Sequence, residues 1–102
     1  MLFDNGSFDA TLTAAAGKDP ALLAELRLAF ADSLARQIDL LRRSRCDGNW
    51  TMAALRLKGL AASFHAAELI TLADEALASA PGDPVIVRRL ETFRAHFNTP
   101  RN

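Results

Sequence analysis

The sequence predicts an all-α protein, an antiparallel up-and-down four-helix bundle with a short extra helix at its N-terminus. Three observations lead to this class. Apolar residues recur at steps of three and four positions, as on one face of a helix. Aspartate followed by proline occurs at 19–20 and again at 83–84, which is typical of a helix cap and first turn. No segment alternates as a strand does, so the helices must pack on one another.

The first two predicted helices are bounded by capping and breaking residues. Ser7 is expected to cap a short helix over residues 8–16, which Gly17 ends. The second helix begins at Asp19-Pro20 and continues through the basic segment LRRSRC, whose positive charges complement the helix dipole. Its predicted apolar stripe consists of Leu22, Leu23, Leu26, Phe30, Leu34, Ile38 and Leu41.

Three further helices complete the predicted fold. Asn49 is expected to cap a third helix over residues 50–64, and a fourth follows over about 65–80, where Pro81-Gly82 ends it. The fifth extends from Asp83-Pro84 to about residue 97. The positions predicted to be buried are Trp50, Ala53, Ala54, Leu57, Leu60, Ala61, Phe64, Ala66, Leu69, Leu72, Ala73, Ala76, Leu77, Val85, Ile86, Leu90, Phe93 and Phe97.

Length and composition limit the functional classes. The chain has 102 residues, half of them apolar, which predicts a single domain over 1–102. Twelve basic and twelve acidic side chains give the chain no net charge. We therefore expect its partner to be a protein and not a nucleic acid or a membrane. The N-terminus lacks signal-peptide features, which favours the cytoplasm. One cysteine, Cys46, and two histidines give no metal-binding spacing, and we expect neither metal nor cofactor.

The third helix carries an unusual outer face. On a helical wheel of about 100° per residue, Leu55 lies roughly 160° from the centre of the apolar face and is expected to be exposed. Gly59 lies on the same outer side, although glycine in a helix interior costs about 1 kcal/mol against alanine. A bare position there would let another surface approach Leu55 and Lys58. The remaining outer positions are Thr51, Met52 and Ala62.

Several of these residues resemble a known family. The features are Leu57-Lys58-Gly59, the small residues Ala61, Ala62 and Ser63, then Phe64, Leu69 on the next helix, and the upstream DGNW. Over about residues 19–97 they resemble the histidine-containing phosphotransfer (HPt) domain of bacterial multistep phosphorelays. That family has a His-x-x-Lys-Gly motif on a bundle helix. Its exposed histidine accepts a phosphoryl group from a receiver domain, its lysine helps to hold this group, and its glycine leaves room for the receiver.

The chain departs from the motif at the reactive position. Lys58 and Gly59 match, but Leu55 stands in place of the phosphoacceptor histidine, and a hydrocarbon side chain has no nucleophilic lone pair. Leu60 replaces a residue that is often small or hydroxylated, and His65 stands where the family usually has glycine. The resemblance therefore implies a degenerate HPt domain without catalytic residues. Its partner would be either the receiver domain of a response regulator or a sensor kinase.

The resemblance also implies which residues make the contact, and we expect a monomer that competes with genuine phosphotransfer proteins. The predicted partner-binding residues are Thr51, Met52, Leu55, Arg56, Lys58, Gly59 and Ala62. Two other hypotheses stay open. In one, Leu55 and Met52 form a self-association patch of a helical dimer or scaffold protein. In the other, His65 accepts phosphate in place of the missing histidine, although the wheel sets it well apart from Lys58 and Gly59.

Overall fold

Helices are the only regular elements in the described part of the chain. The computed structural model describes the backbone of residues 6–98 and the side chains of residues 8–97. Within these limits there is no strand, and the all-α class is confirmed. The helices are α1 (Gly6–Ala16), α2 (Pro20–Arg43), α3 (Asp47–Ser63), α4 (Ala67–Leu77) and α5 (Pro84–Asn98).

Both predicted aspartate caps are present. The Asp19 carboxylate accepts hydrogen bonds from the amides of Ala21, at 3.0 Å, and Leu22, at 3.3 Å. The Asp83 carboxylate likewise accepts from the amide of Val85 at 2.9 Å. Each cap satisfies backbone donors that the first helical turn leaves without partners, and the proline that follows supplies a backbone already set for the helix.

Two other predicted caps are wrong. Helix α3 begins at Asp47 with Cys46 at its N-cap, so Asn49 lies inside its first turn and does not precede it. The Cys46 side chain makes no capping hydrogen bond. Helix α1 begins at Gly6, so Ser7 is likewise inside the helix. Both helices begin before the residue that was predicted to cap them. Several polar residues lie close together at each place, so residue type alone does not identify the cap.

The end of α3 is a Schellman motif, and it shortens α4 relative to the prediction. His65 has a φ of 56°, the left-handed region, and its amide donates to the carbonyl of Ala62 at 3.2 Å. The amide of Ala66 donates to the carbonyl of Ala61 at 2.8 Å. These two bonds satisfy two of the last four carbonyls of α3, which the helix itself leaves without partners. Helix α4 therefore begins at Ala67 and not at residue 65, and it ends at Leu77, ahead of the predicted residue 80.

Four helices contact one another in a closed order. Helix α2 packs against α3, α3 against α4, α4 against α5, and α5 returns to α2. Helix α1 packs on α2. The shared core is filled mainly by the predicted apolar stripes, and its largest fully buried side chains are Trp50, Phe30, Leu12, Leu34, Ile38, Leu41, Leu57, Leu69 and Leu90.

A few predicted core positions are not buried. Leu22 is 38% exposed and Val85 is 53% exposed. Both lie in the first turn of their helices. Others of the predicted set are only partly buried against the core, namely Leu23, Leu26, Leu60, Phe64, Leu77 and Phe97.

An aromatic cluster joins α1 to the rest of the fold. The ring of Phe8 lies 4.8 Å from that of Phe30 and 5.3 Å from that of Phe97, measured between centroids. The Phe64 ring lies 5.1 Å from Phe30 at a steep angle, a favourable edge-to-face geometry. The guanidinium of Arg27 lies over the Phe97 ring at 4.9 Å. The cluster therefore has one ring from α1 and three from elsewhere in the chain.

Candidate functional site

The two sides of α3 differ as the wheel predicts. Its inner side is buried, with Trp50, Ala53, Ala54, Leu57 and Ala61 in the core. The Trp50 indole donates a hydrogen bond of 2.7 Å to the carbonyl of Ala76, which fixes α3 against α4. This anchoring leaves the opposite side of α3 facing outward.

The outer side of α3 presents large apolar groups to solvent. Leu55 is 50% exposed and Met52 is 54% exposed. They are three residues apart, so their side chains are neighbours on the helix surface. The predicted partner-binding residues Thr51, Arg56, Gly59 and Ala62 are exposed as well, and Lys58 is partly exposed. We call these seven residues, 51, 52, 55, 56, 58, 59 and 62, the outer face of α3.

Gly59 leaves a bare place on this face. A Cβ atom there would meet nothing within 4 Å in the described part of the chain, apart from its chain neighbours and its own helix backbone. Its backbone is helical and not left-handed. Neither packing nor backbone conformation therefore requires glycine at this position.

Lys58 has a partner that the sequence did not reveal. Its Nζ lies 2.8 Å from Oδ1 of Asp74 on α4. Both side chains are about half exposed, so water screens the pair and its contribution to stability is small. The interaction nevertheless holds the ammonium at the edge of the outer face. No local signal links two residues so far apart in sequence, and only the packing of α3 on α4 brings them together.

His65 lies outside this face, at the junction of α3 and α4. Its Nδ1 is 2.8 Å from the hydroxyl oxygen of Thr11, which connects the junction to α1. The ring is exposed and sits beyond the last residue of α3. The other histidine, His96, is exposed on α5, with Nδ1 2.9 Å from the carbonyl of Thr92. The structure thus does not bring either histidine into the outer face of α3.

The described residues were also compared with the requirements of a metal site and of a membrane-spanning helix. Over 8–97, no group of three or more histidine, cysteine, aspartate or glutamate side chains is arranged to hold a metal ion. None of the helices within 6–98 combines the length and the apolar character needed to cross a membrane. No protein-family model, curated protein or solved structure matches the chain. The residues and their geometry are therefore the basis for assigning a function.

Proposed function

We propose that this chain is a degenerate HPt domain, a non-catalytic binding module of two-component phosphorelay signalling. It is a cytoplasmic, monomeric, up-and-down four-helix bundle that needs no cofactor. Its outer face of α3 docks on the receiver domain of a response regulator, and the sensor kinase is the other candidate partner. By occupying the receiver it competes with genuine phosphotransfer proteins.

One observation carries the proposal. Leu55 is half exposed, and on the same helix surface it is followed by Lys58 and by the bare Gly59. The pair Lys-Gly is the part of the HPt motif that the chain retains, and the position three residues before the lysine is the one that it has changed. In the proposed function, the docking surface of the motif is kept and the phosphoacceptor is lost.

The pairing of the helices supports the bundle. A four-helix bundle with short connections requires each helix to contact the next and the last to contact the first. The contacts among α2, α3, α4 and α5 have this closed order. Helix α1 accounts for the additional short element.

The backbone at His65 fits the resemblance. The resemblance places glycine at this position, and the backbone there has a φ of 56°, a region that glycine adopts without steric cost. Gly17 and Gly82 are the described glycines with positive φ, and among the described non-glycine residues His65 alone shares this conformation. The Schellman motif between α3 and α4 therefore has the geometry that a glycine-containing relative would use.

The chemistry of the face favours binding over phosphate transfer. The Leu55 side chain cannot accept a phosphoryl group. Its exposed half can lose contact with water in a complex, which is worth about 1 kcal/mol at the usual value per unit of apolar area. Lys58 is paired with Asp74, so its charge is already partly balanced within the chain.

Receiver binding by matched leucine variants tests the proposal. Receiver domains from the same organism are titrated calorimetrically with wild type, Leu55→Asp and Leu28→Asp. Leu28 is 66% exposed on α2, so it controls for placing a charge on an exposed leucine. We expect Leu55→Asp to weaken binding at least about tenfold, because a carboxylate would be desolvated at the interface, and Leu28→Asp to leave it unchanged. Absence of any wild-type binding to receivers, or equal affinity of both variants, would contradict the proposal.

Self-association is a second candidate function, favoured by the adjacent exposure of Met52 and Leu55. A helical dimer or scaffold protein would bury this apolar area against a second copy. Sedimentation equilibrium separates the two functions. A dimer that Leu55→Asp converts to a monomer supports self-association, and a monomer at all concentrations supports the binding module.

A further inference from the structure

A groove adjoins the outer face of α3 on the side of α2. It encloses about 400 Å³ and is lined by both helices. Leu40 from α2 and Met52 from α3 are its exposed apolar lining residues, and the buried Ala53 lines it as well. Met52 is also part of the outer face, so the groove and that face make one continuous surface.

The charges at this groove are unbalanced. Arg43 and Arg56 line it, and its described lining contains no acidic residue. Arg43 Nε lies 3.0 Å from Oδ2 of Asp39, but the same carboxylate also pairs with Arg42. Arg56 forms no ion pair with any residue in the described part of the chain. Among the described residues, one carboxylate thus pairs with two guanidinium groups and the Arg56 guanidinium pairs with none, which leaves excess positive charge beside the apolar walls.

We infer that this groove receives an acidic segment of the protein partner that carries an apolar side chain between its carboxylates. The apolar side chain would lie between Leu40 and Met52, and the carboxylates would pair with Arg43 and Arg56. Guanidinium groups suit this role because their forked donors match carboxylate oxygens. The inference rests on the proposed function, since it treats the groove as an extension of the same docking surface.

Other anionic partners fit the groove less well. A nucleic-acid backbone needs a run of basic residues along its path and offers no apolar group for the walls formed by Leu40 and Met52. A membrane surface is broad and would not fill a recess between two helices. The chain as a whole has no net charge that would attract either polyanion.

The salt dependence and the side-chain requirement of peptide binding test the inference. The probe is a synthetic helical peptide of leucine and glutamate, in which leucine recurs every three or four positions. A second peptide has lysine in place of every glutamate. Fluorescence anisotropy measures the binding of both to wild type, to the double variant Arg43→Gln/Arg56→Gln and to the control Lys18→Gln/Arg88→Gln. The control removes the same charge from two exposed residues that do not line the groove.

We expect the acidic peptide to bind and the basic peptide not to bind. The groove variant should lose affinity by about tenfold, as expected for two partly exposed ion pairs, and should show a weaker dependence on salt. The control variant should match wild type. Backbone amide signals of residues 40–43 and 52–56 should shift on binding, and circular dichroism verifies that both variants remain helical.

Three results would overturn the inference: no binding of the acidic peptide, equal binding of both peptides, or equal affinity in the groove and control variants. Tighter binding of duplex DNA or of phosphatidylserine vesicles would also overturn it, in favour of another class of partner. The two proposals fail separately. Receiver binding that depends on Leu55 but not on Arg43 and Arg56 would contradict only the groove, and peptide binding without receiver binding would contradict only the proposed function.

Discussion

The ammonium of Lys58 lies 2.8 Å from a carboxylate oxygen of Asp74 on the neighbouring helix. This pair lies at the edge of the outer face that is next to α4. Arg43 and Arg56 of the groove lie at the opposite edge, next to α2. A lysine that helped to hold a phosphoryl group would have to turn away from this carboxylate. Because both groups are about half exposed, the rearrangement would cost little, and the pairing is a reversible feature of the surface.

If the proposed function is correct, a histidine at position 55 should allow the chain to accept phosphate. We expect Leu55→His to acquire acid-labile phosphate from a phosphorylated receiver, because the imidazole nitrogen supplies the lone pair that leucine lacks. Adding Asp74→Asn should increase the rate, since it frees Lys58 from its ion pair. Autoradiography after short incubation, with and without acid treatment, measures both effects.

The wild-type chain is the control for that experiment and should remain unlabelled. Labelling of wild type that His65→Gln abolishes would instead show that His65 is an acceptor. Leu55→His/Lys58→Ala should transfer more slowly than Leu55→His alone. Failure of Leu55→His to take up phosphate, from a receiver that the wild type binds, would mean that the outer face is not aligned for transfer.

Gly59→Ala should change stability and docking in opposite directions. The new methyl group meets nothing in the described structure, and alanine is the better helix former, so the free energy of unfolding should rise by about 1 kcal/mol. The same methyl group occupies the bare place on the outer face and should weaken receiver binding. Urea denaturation and calorimetric titration measure the two effects.

Gly48→Ala provides the matched control. Gly48 is also exposed in α3, and a Cβ atom added there would likewise meet nothing within 4 Å in the described structure. It lies in the first turn, away from Gly59, so the substitution should stabilise the fold without changing receiver affinity. If Gly59→Ala binds receivers as tightly as Gly48→Ala does, the bare position has no part in docking.

Trp50 should be among the most costly residues to truncate. It is 1% exposed, and its indole donates to the carbonyl of Ala76, so Trp50→Ala should lower the free energy of unfolding by about 3–5 kcal/mol. Trp50→Phe keeps a large apolar ring and should lose about 1 kcal/mol for the hydrogen bond, with further loss from imperfect packing. Urea melts followed by circular dichroism give both values. Similar costs for the two variants would contradict the dominant role of core volume.

His65→Gly should reveal how the end of α3 is stabilised. Glycine removes the steric cost of the left-handed backbone, worth about 1 kcal/mol, but it also removes the hydrogen bond to Thr11. The gain in stability should therefore be larger in a Thr11→Val background, where that bond is already absent. A double-mutant cycle in urea measures this coupling, and equal gains in both backgrounds would show that the hydrogen bond contributes nothing.

The sequence predicted the number and order of the helices because capping residues and apolar periodicity are local properties. Asp19 and Asp83 were recognised as caps since each is followed by proline. The predicted caps at Ser7 and Asn49 were wrong because neighbouring polar residues could also serve as caps, and the other failures came from information that is not local. Leu22 fits the apolar stripe of its helix but is 38% exposed, because burial also depends on how the neighbouring helices pack.

The candidate site, like the fold, could be predicted from the sequence only where it depends on a single helix. The exposure of Leu55 follows from the angle between it and Leu57, which any straight helix imposes. The partner of Lys58 could not be predicted, because the pairing with Asp74 depends on how α3 and α4 are aligned. The groove beside Arg56 was missed for the same reason, since its second wall belongs to α2.

The aromatic cluster determines where a shortened recombinant fragment can begin. The HPt resemblance begins near residue 19, and a fragment designed on that boundary would lack α1. Removing Phe8 would leave the rings of Phe30 and Phe97 without one of their packing partners and would open an apolar area on the bundle. Such a fragment is expected to be less soluble and to aggregate, so any attempt to purify a minimal domain should begin upstream of Phe8.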